Sequence, residues 1–125
     1  MNGLTLDTGA LIALERKDQR TSALIAIAHR KQQVITVPAP VVVEWWRGQR
    51  GPVANLLDAL VVEPLTLPLA RLAGAALGAC ASGPSTTDAV VMASAAQRGD
   101  AVLTGDFADL QKLQTVFTSV RLLGV

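Results

Sequence analysis

The feature that most constrains this chain is the alternation of strand-like and helix-like patterns along its whole length. Short apolar or β-branched runs predict strands at 3–6, 34–37, 61–64, 101–104 and 120–123. A segment with helical spacing separates each strand from the next. Such alternation favours a parallel sheet covered by helices. We therefore expect an α/β fold of three layers, α/β/α, with a central and mainly parallel sheet in a single domain at 1–125.

Helical spacing is clearest between Leu69 and Cys80, where apolar residues recur at the positions of one helix face. Pro38 and Pro40 are expected to end the second strand and begin a helix, because proline suits a first helical turn. The other segments with helical patterns are 9–15, 20–31, 52–58, 85–97 and 107–113.

Composition limits the class of protein. Half of the residues are hydrophobic, yet the aromatic residues are only two Trp and two Phe, so the core must consist mainly of aliphatic side chains in close layers. The longest uncharged stretch, 72–87, is too short and too rich in Gly to span a bilayer, and no signal peptide is expected. Cys80 is the single cysteine, which fits a reducing, cytoplasmic compartment.

Four acidic residues stand where a parallel α/β sheet gathers its functional groups. Asp7 and Asp106 follow strands, Asp88 opens an Ala-rich helix, and Glu44 lies in the helix after the second strand. The only histidine, His29, lies in a basic helical stretch that points elsewhere, so no imidazole or thiolate site can form. Several carboxylates together suit a hard cation such as Mg²⁺ or Mn²⁺. Their mutual repulsion should raise the pKa of at least one of them.

A structural interpretation of the same acids remains open. Aspartate is common at helix N-termini, where it accepts hydrogen bonds from free backbone N–H groups. Asp7 stands before the first helix, Ser85 and Asp88 form a capping-box pattern, and Asp106 with Asp109 forms another. Glu44 has no such role available.

The local contexts of the four acids resemble those of PIN-domain nucleases. The segment Leu4-Thr5-Leu6-Asp7-Thr8 is similar to the first strand of that family, and Thr87-Asp88-Ala89 to its third motif. Val102-Leu103-Thr104-Gly105-Asp106 resembles the strand that ends in a hydroxyl residue, any residue, then Asp. The likeness covers the whole chain, whose length is that of the VapC toxins of VapBC toxin-antitoxin pairs.

This resemblance implies a metal-dependent endoribonuclease that leaves 5′-phosphate and 3′-hydroxyl ends, with Mg²⁺ as cofactor and Mn²⁺ as the alternative. It also implies a VapB-type antitoxin as partner, an RNA substrate and a homodimer. Glu44 would hold or orient a metal-bound water, and Thr8 and Thr104 would position the carboxylates as hydrogen-bond donors. Three aspartates would bind the metal: Asp7, Asp88 and Asp106.

Several neighbouring residues have two interpretations. Trp45 and Trp46 would stack on an RNA base or, more simply, pack in a core or an interface. Arg47 and Arg50 would contact phosphates or point into solvent. Asp109 would be a fifth site acid or only a helix cap.

Two rival functions remain. The segment Leu6-Asp7-Thr8-Gly9-Ala10 also resembles the active-site motif of retroviral-type aspartic proteases, an all-β family, although a helical pattern follows it at once. The second rival is a non-catalytic PIN-like module that binds RNA or protein and whose acids serve as caps.

Overall fold

A computed structural model describes residues 2–46, 51–80 and 82–125. Its centre is a five-stranded sheet in which every pairing is parallel. The strands are β1 (Gly3–Leu6), β2 (Val34–Pro38), β3 (Val61–Glu63), β4 (Ala101–Thr104) and β5 (Leu122–Gly124). Helices flank the sheet, so the predicted α/β class and mainly parallel sheet are confirmed.

The helices follow the predicted segments closely. They are α1 (Thr8–Glu15), α2 (Gln19–Arg30), α3 (Ala39–Trp45), α4 (Leu67–Ala79), α5 (Thr86–Arg98) and α6 (Phe107–Leu113). A 3-10 helix, Gly51–Ala59, replaces the α-helix expected at 52–58. None of the helices in the described residues is long and apolar enough to cross a bilayer.

Strand order determines where the chain can build a site. The order β3-β2-β1-β4-β5 places β1 beside β4, although 94 residues separate Leu6 from Ala101. Within this pair Leu6 lies opposite Leu103, so the two strands end at the same edge of the sheet. Every residue of β1 and β4 is buried, as expected for a parallel sheet covered on both faces. An all-parallel sheet also rules out the all-β aspartic protease fold.

The Ala-rich helix α5 packs against the sheet and against α4. Small side chains make this close packing possible, because residues 89–95 of α5 are all buried. Ser85 caps the N-terminus of α5, and Gly99 ends the helix with φ of 72°, a left-handed conformation that glycine adopts without a steric penalty. The start of α5 thereby lies at the edge of the sheet where β1 and β4 end.

A network of ion pairs and hydrogen bonds holds the other end of α5. The Arg98 guanidinium forms ion pairs with Glu63 and Asp100, and also donates to the Thr5 hydroxyl at 2.7 Å. The Ser94 hydroxyl donates to Glu63 at 2.6 Å. Asp100 is only 6% exposed, so its charge needs these partners. Glu63 thus has a structural role at the end of β3.

Four strand boundaries differ from the sequence prediction by one or two residues: β2 and β5 end one residue later, β3 ends at Glu63 and not at Pro64, and β5 begins two residues later. Two of these differences have a clear physical reason. Pro38 is the last residue of β2 and pairs with Glu63. Because the strand ends there, the sheet tolerates a proline, which has no backbone N–H. The last strand begins at Leu122 and not at Val120, because the Val120 N–H donates to the Phe117 carbonyl in a turn after α6.

Two glycines allow α1 to approach the turn after β4. A Cβ on Gly9 would lie 2.7 Å from the Gly105 Cα, and a Cβ on Gly105 would lie 2.9 Å from the Gly9 Cα. Both neighbours are backbone atoms, which cannot move without shifting a helix or a strand. Only glycine at both positions permits this contact.

We predict that Gly9→Ala destabilises the protein by about 1–3 kcal/mol, because the added methyl group overlaps the Gly105 backbone. Gly74→Ala is the matched control: Gly74 is exposed in α4, and a Cβ there meets nothing within 4 Å. That control should stabilise by about 0.5–1 kcal/mol through helix propensity. Denaturant midpoints measure both, and equal effects of the two substitutions would contradict the proposed contact.

Candidate active site

The four acids identified in the sequence line one pocket of about 230 Å³ at the edge where β1 and β4 end. The lining residues are Asp7, Thr8, Gly9, Glu44, Ser85, Thr87, Asp88, Asp106 and Asp109. They come from the starts of α1, α5 and α6 and from the body of α3. The structure therefore brings together side chains that are up to 102 positions apart in sequence.

Asp7 is the most deeply placed acid, with 4% of its surface exposed. It is the N-cap of α1 and accepts from the Ala10 N–H at 2.8 Å. It also accepts from the Gly105 N–H at 3.2 Å and from the Thr104 hydroxyl. Burial raises the pKa of Asp7, and these three hydrogen bonds oppose that shift.

Thr104 connects two of the acids. Its hydroxyl donates to Asp7 and accepts from the Asp106 N–H at 2.7 Å. A single side chain at the end of β4 thus positions one carboxylate directly and the backbone of the other. Thr104 is 1% exposed, so water does not compete for these bonds.

Glu44 belongs to the same site through Thr8. The Thr8 hydroxyl donates to the Glu44 carboxylate at 2.5 Å, which links the start of α1 to α3. Glu44 is exposed at the pocket, in contrast to Asp7. Both threonines that the resemblance singled out therefore donate to site carboxylates.

Asp88 is both a helix cap and a pocket residue. Its carboxylate accepts from the Ser85 N–H at 3.0 Å, while the Asp88 N–H donates to the Ser85 hydroxyl at 3.1 Å. The capping box expected from the sequence is thus present. Asp88 is half-buried, and burial raises its pKa, with the charges of Asp109 and Asp7 adding to the shift.

The carboxylates of Asp88, Asp106 and Asp109 form the tightest acidic group among the described residues. One oxygen from each lies within 4.8 Å of the others. Burial raises the pKa of Asp106, followed by the negative charges of Asp109 and Asp88. The expected rise in pKa is therefore confirmed, although loss of hydration contributes more than repulsion does.

This donor set fits a divalent cation. Hard ions such as Mg²⁺ and Mn²⁺ prefer carboxylate oxygens, and the group offers three of them at an open pocket. The group contains Asp88 and Asp106 of the set that the resemblance implied and adds Asp109, while Asp7, the third aspartate of that set, lines the same pocket. Asp109 stands three residues after Asp106, and that spacing on a first helical turn is the signal that pointed to it.

The remaining candidates divide between core and surface. Trp45 is 3% exposed and belongs to the core, whereas Trp46 is 44% exposed. The centroids of the two tryptophan rings are 5.8 Å apart. His29 faces solvent on α2, as expected. Arg47 and Arg50 lie outside the described residues.

We predict that, with a chelator present, Asp106→Asn raises the Tm at pH 7. An acid whose folded-state pKa exceeds its ordinary value of 3.8 favours folding while protonated, and this contribution is lost as the pH rises through the raised pKa. The gain should therefore shrink toward pH 4. Thermal unfolding of wild type, Asp106→Asn and the distant Asp58→Asn at several pH values measures it.

Divalent ions should make wild type more stable than Asp106→Asn, because a ligand that binds only the folded state stabilises it. Added Mg²⁺ or Mn²⁺ should raise the Tm of wild type and of Asp58→Asn, and raise that of Asp106→Asn much less. An equal rise in all three proteins would show that the cation binds elsewhere.

Comparison with known proteins identifies the family of this chain. Residues 4–114 match the model of the PIN domain. Curated protein sequences give no significant match. The chain is similar to a VapBC complex from Rickettsia felis bound to a promoter DNA fragment, with a TM-score of 0.76 at 12% identity over 98% of both chains.

Two further solved structures are similar. A DNA-bound VapBC from Salmonella typhimurium has a TM-score of 0.74 at 15% identity, covering 99% of this chain and 98% of that one. FitAcB from Neisseria gonorrhoeae has a TM-score of 0.67 at 17% identity over 96% of both chains. At these identities the likeness establishes the fold. Because the family model spans nearly the whole chain, this protein belongs to the PIN-domain family.

Proposed function

We propose that this protein is a metal-dependent endoribonuclease and the toxin of a type II toxin-antitoxin pair. PIN domains are generally nucleases. The observation that carries the proposal is the pocket in which Asp7, Glu44 and the group of three aspartates converge. Five acids at one open edge are costly to fold without a counter-charge, and a bound cation provides it.

Each residue has a distinct role in this proposal. Asp7, Asp88 and Asp106 would hold the cation, with Asp109 as a further ligand beside the last two. Mg²⁺ is the expected ion and Mn²⁺ the alternative. When bound, the metal supplies activation of water and neutralisation of charge on the phosphate. The Thr104 hydroxyl would position the Asp7 carboxylate, and Glu44, held by Thr8, would hold or orient a metal-bound water.

The chemistry of such a site is phosphodiester hydrolysis with 5′-phosphate and 3′-hydroxyl products. We infer RNA as the substrate, a VapB-type antitoxin as the inhibitor and a cytoplasmic homodimer as the working form. Support for the antitoxin comes from the similar solved structures, which are VapBC and FitAB complexes.

A nuclease assay tests the proposal. Wild type incubated with total RNA should cleave it in Mg²⁺ or Mn²⁺ and not in chelator. Asp88→Asn and Asp106→Asn should reduce the rate of cleavage by roughly 100-fold or more. Loss of a metal ligand should lower activity at least as much as loss of a residue that positions a ligand. Asp58→Asn, which changes an acid outside the pocket, should cleave normally. Circular dichroism confirms that each variant is folded.

The capping bonds of Asp7 and Asp88 favour one alternative, a non-catalytic PIN-like module that binds RNA or protein. Folded wild type that binds RNA but never cleaves it, whichever divalent ion is present, would establish that alternative. Cleavage that persists in both aspartate variants would point to a contaminating nuclease.

Thr104 provides a finer test of the site. Thr104→Val keeps the shape of the side chain but removes the hydroxyl that donates to Asp7 and accepts from the Asp106 N–H. We expect metal-dependent cleavage to fall by about 10–100-fold. Ser94→Ala removes another buried hydroxyl, one that donates to Glu63, and should leave the rate of cleavage by the folded protein unchanged.

A further inference from the structure

A groove of about 450 Å³ adjoins the acidic pocket. Gly9 lines both depressions, and Gly105, whose backbone contacts Gly9, lines the groove. Its walls include Ile12 and Arg16 from the outward side of α1 and Val125 beyond β5. A flexible ligand bound in the acidic pocket can therefore extend past Gly9 into this groove.

Arg16 brings a cation to the groove. It is exposed at the C-terminal end of α1, and within the described residues its guanidinium makes no hydrogen bond or ion pair. The acid in the lining, Asp18, is engaged elsewhere: it accepts from the Thr21 N–H and hydroxyl at 2.9 and 2.8 Å. Those bonds hold the pKa of Asp18 below its ordinary value. Arg16 is thus a cation available to a ligand.

An exposed aromatic ring lies nearby. Phe107 follows Asp106 directly and is 43% exposed. A Cβ on Gly124 would lie 3.9 Å from the Phe107 Cδ2, so the ring stands beside the end of β5 and the neighbouring groove residue Val125. An exposed aromatic side chain therefore follows the site residue Asp106 and stands close to this end of the groove.

The charge of the acidic pocket makes such outside contacts necessary. Five carboxylates repel a polyanion, and a metal ion offsets that repulsion only at the scissile phosphate. Affinity for the rest of the strand must come from cations and aromatic rings beyond the pocket. Arg16 lies nine residues after Asp7, about 13 Å along the helix axis, which suits a phosphate further along the strand.

We propose that this groove binds the nucleotides of single-stranded RNA that flank the cleaved bond on one side. Arg16 contacts a backbone phosphate, and Phe107 stacks on a base. The proposal rests on the nuclease function and specifies how that site holds its substrate.

Fluorescence anisotropy of a labelled single-stranded RNA of mixed sequence, in chelator so that no cleavage occurs, tests the groove. Arg16→Gln should weaken binding by roughly three- to tenfold and reduce the slope of log affinity against log salt by about 0.7, the value for one phosphate contact. Arg30→Gln is the matched control, because Arg30 is an exposed arginine at the far end of α2. It should change neither quantity appreciably.

Phe107→Leu should give a different signature. Loss of stacking should weaken RNA binding by about fivefold or more, while the salt slope stays at the wild-type value, because no charge is removed. Because Leu keeps an apolar side chain at this partly exposed position, the fold should stay intact, and thermal unfolding checks this.

The two proposals fail in different ways. Suppose that wild type cleaves RNA, and that Arg16→Gln binds RNA as tightly as Arg30→Gln does and with the same salt slope. That result would overturn the groove proposal alone. Weakened binding of a protein antitoxin by Arg16→Gln, with RNA binding unaltered, would assign the groove to that partner and also overturn the proposal. Wild type that neither binds nor cleaves RNA would remove the nuclease proposal itself.

Discussion

The carboxylate of Asp7 is the contact on which the site depends. It accepts hydrogen bonds from the first turn of α1, from the Gly105 N–H and from Thr104, and so ties the turn after β1 to the turn after β4. The backbone contact between Gly9 and Gly105 allows these two turns to lie so close together. Asp106, the residue after Gly105, thereby lies in the same pocket as Asp7.

Capping and catalysis are not competing explanations of these acids. Asp7 is the N-cap of α1, and Asp88 is the third residue of α5 and a member of its capping box. The same bonds that satisfy free N–H groups fix their carboxylates at the pocket. A parallel α/β sheet places helix N-termini at the edge where its strands end, so acids that cap helices there are already gathered. The cost of this arrangement is visible in the raised pKa of three aspartates, for which burial is the main cause.

Sequence patterns predicted most of this architecture. The strand at 101–104 and the helix at 107–113 have the expected bounds, and the four acids share a pocket. The patterns did not predict the 3-10 helix, since apolar spacing over a short segment does not distinguish it from an α-helix. Nor did they predict the start of the last strand, because register against β4 decided it.

What the sequence by itself determined was the kind of residue and its local setting: acids at strand ends, hydroxyl neighbours, and an Ala-rich helix narrow enough to pack closely. Only the tertiary structure decided which carboxylates approach one another, because that depends on strand order and on contacts between distant segments. It brought Asp109 into the group with Asp88 and Asp106 and set Asp7 deeper, held by Thr104. It also gave the two tryptophans different surroundings: Trp45, at the end of α3, is buried in the core, whereas Trp46 follows the helix in extended backbone and is exposed.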